Sequence, residues 1–359
     1  MTDIKQTWVP APRGRDAAVL NQPIEDPAGW RAEDLQGTDR FIYQLSDAEI
    51  SEIFDAVDRF EKSGAELKDL DRDGFQLPKF SAVMAEIRDE LMEGRGFGFL
   101  RGLPVEGRTI AQNAIAFWGL GVYMGTPVPQ NAKGHLLEHV KDAGGDINTP
   151  TGRGYNSANE LGFHADSCEL LSLMCLCPSK SGGQHRIVSS VTVYNEMLAR
   201  RPELARELAF RFYRSRRGEI PPGEDAFLRQ PVFSVTDGYF SARGASSTIE
   251  RAQKLPGVEK LTPAQREAID FYQALSGELA MDVDFQLGDI SFVLNHVALH
   301  ARTAYEDWPE PDRKRHLMRL WINIDCERPI HPEIIHQMIG IVPDPGEALK
   351  TPLEMTPVT

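Results

Sequence analysis

Apolar residues recur at helical spacing after Ser46-Asp47-Ala48-Glu49, with Ile50, Ile53, Phe54, Val57 and Phe60 on one face. The S-x-x-E string is a capping box, so the pattern predicts a helix over about 47–62. Further helices are expected over 81–93, ended by Gly94, and over 109–123. Between them Gly96 to Leu100 is short, apolar and punctuated by glycine, which reads as a strand entering the turn Gly102-Leu103-Pro104. From about 130 the texture changes to short β-like runs at 170–177, 185–193, 208–214, 231–236, 283–287, 290–297 and 315–324. A helical pair near 193–210 interrupts them. Thr262-Pro263-Ala264-Gln265 opens another helix, with Thr as cap, Pro in the first turn and Gln three residues on, running to near Met281.

Many short strands separated by turn signals predict a barrel or sandwich rather than alternating βαβ units. No repeat, low-complexity segment or linker divides the chain. The expectation is one domain over 1–359, mainly β with α additions. It has a helical N-terminal layer over about 1–125, strands over about 130–325 with a long insertion at 193–282, and a tail over 326–359.

Charge narrows the partners. The chain has 39 basic and 53 acidic side chains and a formal charge of −14, the opposite of the basic footprint that phosphate backbones require. Apolar residues at 41% and charged residues at 26% exclude a disordered or fibrous chain. No apolar run follows the charged start Met-Thr-Asp-Ile-Lys, so neither a signal peptide nor a membrane span is expected and the expected location is cytoplasmic. The partner expected is a small molecule, with no nucleic acid and no membrane; a homo-oligomer stays open. Cys168, Cys175, Cys177 and Cys326 form no CxxC pair, and the alternating Cys175 and Cys177 read as strand core.

Candidate chemistry centres on Phe163-His164-Ala165-Asp166. If this stretch is extended, His164 and Asp166 lie on one face and can bind one metal side by side, which is two-thirds of a 2-His-1-carboxylate triad. A second H-x-acid string occurs at His331-Pro332-Glu333, but only His336 follows it and no arginine does. After His164 come His296, His300 and the arginine-rich stretch Arg313 to Arg319. His296 and His300 are an even number of residues apart, so strand periodicity does not choose between them. A rival site is His135-Leu136-Leu137-Glu138-His139, an H-x-x-E-H string that on a helix would serve a zinc metallohydrolase; flanking glycines at 134, 144 and 145 leave it scarcely two turns.

The blocks Gly162 to Asp166, Pro178-Ser179-Lys180-Ser181-Gly182-Gly183, Leu294 to Asp307 and Arg313 to Trp321 together resemble the taurine dioxygenase and clavaminate synthase-like (TauD/TfdA) superfamily, over about Gly96 to Ile324. The resemblance implies a double-stranded β-helix of jelly-roll, cupin-like form. It implies an oxygenase using Fe(II), 2-oxoglutarate as cosubstrate and O2. Carried over by residue, it makes His164, Asp166 and His300 the iron ligands, thereby choosing His300 over His296. It places Arg315 on the far carboxylate of 2-oxoglutarate and turns Arg319 toward cosubstrate or an acidic substrate. A carboxylate at Asp166 implies hydroxylation, desaturation or ring closure, since related halogenases have a small residue there.

Two departures from the family pattern stand out. Gln184 and His185 follow Gly183 where many relatives have Ser or Thr, so that cosubstrate contact passes to His185 or to no residue. The small residue after the distal histidine is Ala301. Arg319 also motivates a small anionic or amino-acid-like substrate. Loop-like stretches at about 130–160 and 215–260 offer Arg153, Tyr155, Asn156 and Arg243 as substrate contacts. A non-catalytic barrel-fold binding protein is the remaining alternative.

Overall fold

The computed structural model describes residues 6–144, 154–245, 247–324, 328–336 and 338–354, without the side chain of Tyr155. It is a mixed α/β structure rich in strands. The helix Asp47–Ser63 starts at Ser46, whose capping box with Glu49 is complete, and stops at Gly64 in the left-handed conformation. Ser81–Glu93 and Ile110–Gly121 follow, the latter with a second capping box between Thr109 and Gln112. The third box, Thr262 with Gln265, opens Pro263–Leu279. At each start the side chains satisfy backbone N–H groups that have no partner within the helix.

Two sheets carry the remaining chemistry. The larger is seven-stranded and contains Phe97–Arg101, Ile290–Leu294, Leu170–Cys177 and His316–Asn323 as neighbours. The smaller is four-stranded and orders Met281–Val283, His185–Ser189, Ala298–Arg302 and Leu161–His164. Phe97, Phe99, Leu171, Leu173, Leu317 and Trp321 of the first sheet pack with Ile187, Met281, Val283 and Ala298 of the second in one buried cluster. Apolar side chains from two facing sheets thus close the core between them.

The strand expected over 185–193 ends at Ser189. The Ser189 hydroxyl instead caps the helix Ser190–Arg200 by accepting from the Thr192 N–H. Local capping chemistry overrides the β-branched stretch Val188 to Val193. The strand expected over 283–287 is Met281–Val283, where pairing with His185 to Ile187 sets the limits. Between Ser189 and Met281 lie helices and two hairpins, Arg211–Ser215 with Phe227–Pro231 and Phe233–Thr236 with Tyr239–Ala242. Among the described residues no helix is long and apolar enough to cross a membrane.

Candidate active site

His164 ends the strand Leu161–His164, and Asp166 lies two residues beyond that end. His300 is in the middle of Ala298–Arg302 and pairs directly across the sheet with His164. Directly opposed residues on antiparallel strands bring their side chains within contact; the two imidazole centres are 4.2 Å apart. One ligand-type atom from each of His164, Asp166 and His300 lies within 4.8 Å of the others, the only such group of three or more among the described residues.

The surrounding contacts leave these atoms available. His164 Nδ1 is 2.8 Å from the Gly162 carbonyl, so the N–H sits there and the Nε2 lone pair faces inward. Trp321 Nε1 donates to Asp166 Oδ2 at 2.9 Å, while Oδ1 is 3.9 Å from His164 Nε2. Burial alone would raise the Asp166 carboxyl, but Arg319, then His300, His164 and the Trp321 bond, hold it below the usual carboxylate range. Burial lowers both His164 and His300, keeping them in the neutral form that binds metal.

Arg315 precedes the strand His316–Asn323 by one residue and Arg319 lies within it. Arg319 sits against the triad: Nε donates to Gln130 Oε1 at 2.7 Å and Nη1 is 3.6 Å from Asp166 Oδ2. It therefore braces Asp166 as well as lining the cavity. Arg315 is elsewhere in the site. Its guanidinium lies over the Tyr305 ring at 5.1 Å, Nη1 is buried without a hydrogen-bond partner, and its backbone N–H donates to Asp307 at 2.7 Å. Gly183, at φ +69°, permits this approach: a Cβ there would be 3.2 Å from Arg315 Nε. His185 is buried with Nε2 unpartnered, its ring stacked 6.2 Å from that of His300. Arg315 draws it down to about 3, second only to burial.

A cavity of about 470 Å³ opens beside the triad, lined by His164, Asp166, Arg214, Gln230, Arg243 and Arg319 among others. Arg243 was among the expected contacts; Arg214 and Gln130 were not, since nothing local distinguishes them from surface polar residues. Asn156 does not line this cavity. Arg153 and the Tyr155 side chain lie outside the described residues.

Four of the other histidines have partners of their own, while His336 lines the same cavity and His331 accepts from the Glu333 N–H at the start of a short helix. His296 lies in the turn between two strands, with Ser241 Oγ 3.0 Å from Nδ1 and Glu169 3.5 Å from Nε2. It cannot turn to the triad without abandoning both. The metallohydrolase alternative fails on backbone geometry, because Leu137–Val140 is a strand. His135 contacts Glu138 at 2.7 Å, while His139 contacts His316 at 2.7 Å and the Pro352 carbonyl at 3.0 Å, so the two histidines do not converge.

Known proteins share this arrangement of sequence and fold. FR-33289 synthase of Streptomyces rubellomurinus is 31% identical over 321 residues, covering 86% of this chain and 93% of that protein. Taurine hydroxylase-like protein SAT17 of Stachybotrys chartarum is 27% identical over 321 residues, covering 87% and 82%. Among solved structures, asparagine oxygenase with Fe(II), 2S,3S-3-hydroxyasparagine and succinate superposes at a TM-score of 0.64 with 16% identity, over 79% of this chain and 94% of that one. Non-heme iron oxygenase OrfP with Fe and alpha-ketoglutaric acid superposes at 0.58 with 16% identity, over 84% and 99%. These structural likenesses speak for the fold. The profile of one family spans residues 60–321, from the first long helix to the strand that carries Arg319 and Trp321, and on that match the chain belongs to the taurine catabolism dioxygenase TauD, TfdA family.

Proposed function

We propose that the protein is an Fe(II)- and 2-oxoglutarate-dependent oxygenase of double-stranded β-helix type that acts on a small molecule. His164, Asp166 and His300 hold the metal and Arg315 anchors the cosubstrate. The observation that carries the reading is the convergence of two neutral imidazoles and one carboxylate within 4.8 Å. The outward atoms of His164 and Asp166 are engaged by Gly162 and Trp321. The donor set is that of a facial triad, which leaves positions open for ligands. Such a metal centre supplies oxidation of an unactivated C–H bond at the expense of 2-oxoglutarate and dioxygen.

This chain's own residues supply the geometry. The Gly162 carbonyl fixes the His164 tautomer, and Trp321 with Arg319 sets the orientation of Asp166. A buried guanidinium whose donors are not all satisfied is costly, and Arg315, with Nη1 buried and unpartnered, is such a group. A carboxylate delivered by 2-oxoglutarate relieves it through two parallel hydrogen bonds. His185, buried near Arg315 with a free ring nitrogen, takes the place of the Ser or Thr that follows the Gly-Gly pair in relatives.

Asparagine oxygenase is solved with 3-hydroxyasparagine and succinate, and OrfP is also solved with Fe, succinate and (3S)-hydroxy-L-Arg, which agrees with a small, polar substrate here. The test is anaerobic addition of Fe(II) and 2-oxoglutarate. A visible charge-transfer band that needs both, followed by oxygen-dependent release of succinate, is expected; absence of the band in protein that remains folded would reject the assignment.

A further inference from the structure

Asp166 is the one member of the triad outside a strand. Pairing of Leu161–His164 with Ala298–Arg302 fixes His164 and His300. Asp166 lies instead in the irregular stretch 165–169, which crosses from the smaller sheet to Leu170–Cys177 of the larger one. Backbone polar groups buried in such a stretch need partners outside it. Here they converge on Asn295, fully buried in the turn between Ile290–Leu294 and Ala298–Arg302. Oδ1 of Asn295 accepts from the Asp166 N–H at 3.3 Å. Nδ2 donates to the Cys168 carbonyl at 3.0 Å and lies 3.2 Å from Cys168 Sγ. The Asn295 backbone N–H donates to the Glu169 carbonyl at 2.8 Å. Asp166, Cys168 and Glu169 are thus tied to one residue, while the Ser167 carbonyl accepts from the Gly340 N–H at 3.0 Å.

The turn that carries Asn295 is itself held from several sides. The Leu294 N–H donates to the Gly96 carbonyl, the Ser190 N–H to the Val297 carbonyl and the Ala242 N–H to the His296 carbonyl, each at 2.8 Å. The Asn295 side chain takes no part in closing the turn, which the Val297 N–H closes on the Leu294 carbonyl at 3.2 Å. It reaches instead to Asp166, 129 residues away in sequence. An amide suits the position because it offers a donor and an acceptor on one uncharged, planar head. Turned over, it would set its NH2 against the Asp166 N–H and its oxygen against the Cys168 carbonyl, so these contacts fix its orientation. An apolar residue of the same size would satisfy neither group.

We propose that Asn295 is a positioning residue for the metal centre, setting the main chain of Asp166 relative to the strand that carries His300. Trp321 and Arg319 meet the carboxylate itself. They can do so only while the main chain holds that carboxylate in front of them, and the Asn295 amide supplies this hold. The inference rests on His164, Asp166 and His300 being the metal ligands, but not on which reaction the metal supports.

The test titrates Fe(II), without oxygen, into full-length Asn295→Leu and Asn295→Ala, with Asn113→Ala as control. Asn113 is also a buried amide, bonded through Nδ2 to the Val105 carbonyl at 3.2 Å in the helix Ile110–Gly121, so its loss lowers stability without touching the Asp166 stretch. Both Asn295 variants should bind Fe(II) roughly 10- to 100-fold more weakly, the usual cost of losing a group that orients a metal ligand. The visible bands of bound Co(II), which report ligand geometry, should shift in both. Asn113→Ala should match the unaltered protein in affinity and bands even though it melts lower. Hydrogen exchange of metal-free, unaltered protein keeps the test decisive if a variant fails to fold. The Asp166 amide should exchange within about tenfold of the amides of Ala298–Arg302, as a held group does. Unchanged Fe(II) affinity and Co(II) bands in a folded Asn295 variant, or an Asp166 amide that exchanges as fast as an exposed loop, would overturn the proposal. Failure of the unaltered protein to bind Fe(II) would reject the ligand triad itself, and the proposal with it; normal binding by the unaltered protein and both variants would reject the role of Asn295 alone.

Discussion

Trp321 and Asp166 are 155 residues apart in sequence and meet at 2.9 Å, the indole N–H donating to Oδ2. The bond joins the strand of the larger sheet to the loop that leaves the smaller one, so the orientation of the carboxylate depends on how the two sheets are docked. It also uses up the outward lone pair of Oδ2 and leaves Oδ1 on the side of His164.

Replacing Trp321 with Phe keeps an aromatic ring in the core but removes the donor. Loss of a partner that orients a metal ligand typically costs about 10- to 100-fold in affinity. Fe(II) titration of Trp321→Phe should show a loss of that size with the fold preserved; an unchanged affinity would mean that Arg319 alone orients Asp166.

His300 and His296 separate metal binding from stability. His164→Ala, Asp166→Ala and His300→Ala should each abolish Fe(II) binding with little change in melting temperature, since His164 and Asp166 line the cavity and the His300 ring leaves Nδ1 without a hydrogen-bond partner to lose. His296→Ala should bind Fe(II) yet unfold more easily, because it takes from the buried Ser241 hydroxyl its contact with the imidazole, at about 1 to 3 kcal/mol for an unsatisfied buried group. The reverse pattern in a paired metal titration and urea denaturation would exchange their roles.

The acid side of the stability curve should report His316. Burial, then its neighbours His139 and Lys141, pulls its pKa down to about 3, below the ordinary imidazole value. Between about pH 6.5 and 3 the unfolded chain therefore holds a proton that the folded chain does not, so stability falls as pH drops through that window. Full depression amounts to about 1.4 kcal/mol per pH unit, or about 2 kcal/mol between pH 6.5 and 5. In His316→Gln the difference between urea midpoints at pH 7 and pH 5, measured without metal, should shrink accordingly.

Much of this site could be read from the chain because its parts are local. The capping boxes at Ser46 and Thr262 and the apolar run Leu170 to Cys177 set their elements within a few residues. His164 and Asp166 are neighbours in sequence as well as in space. What periodicity could not decide was long-range: the choice of His300 over His296 depends on strand pairing with His164, and the turn at 295–297 that removes His296 is invisible to an alternation rule. Arg214 escaped notice for the same reason. Its burial against Gly244 arises from a hairpin packing on the triad loop, and an arginine in a strand carries no local mark of that.

The proposed cosubstrate anchor, Arg315, gives the sharpest chemical test. Arg315→Lys keeps the charge and loses the planar fork, and one ammonium cannot reproduce a two-point grip on a carboxylate. A charge-assisted hydrogen bond is worth about 1.5 to 3 kcal/mol, so 2-oxoglutarate should bind roughly 10- to 150-fold more weakly. Gly183→Ala should act through the same guanidinium from the other side. Its Cβ would come within 2.9 Å of Ser179 Oγ and 3.2 Å of Arg315 Nε, at a φ of +69° that side chains disfavour. The arginine must shift, so 2-oxoglutarate affinity should fall while Fe(II) affinity holds. If both variants bind 2-oxoglutarate as the unaltered protein does, the anchor is not Arg315, and Arg319, four residues further along the chain, becomes the group to replace next.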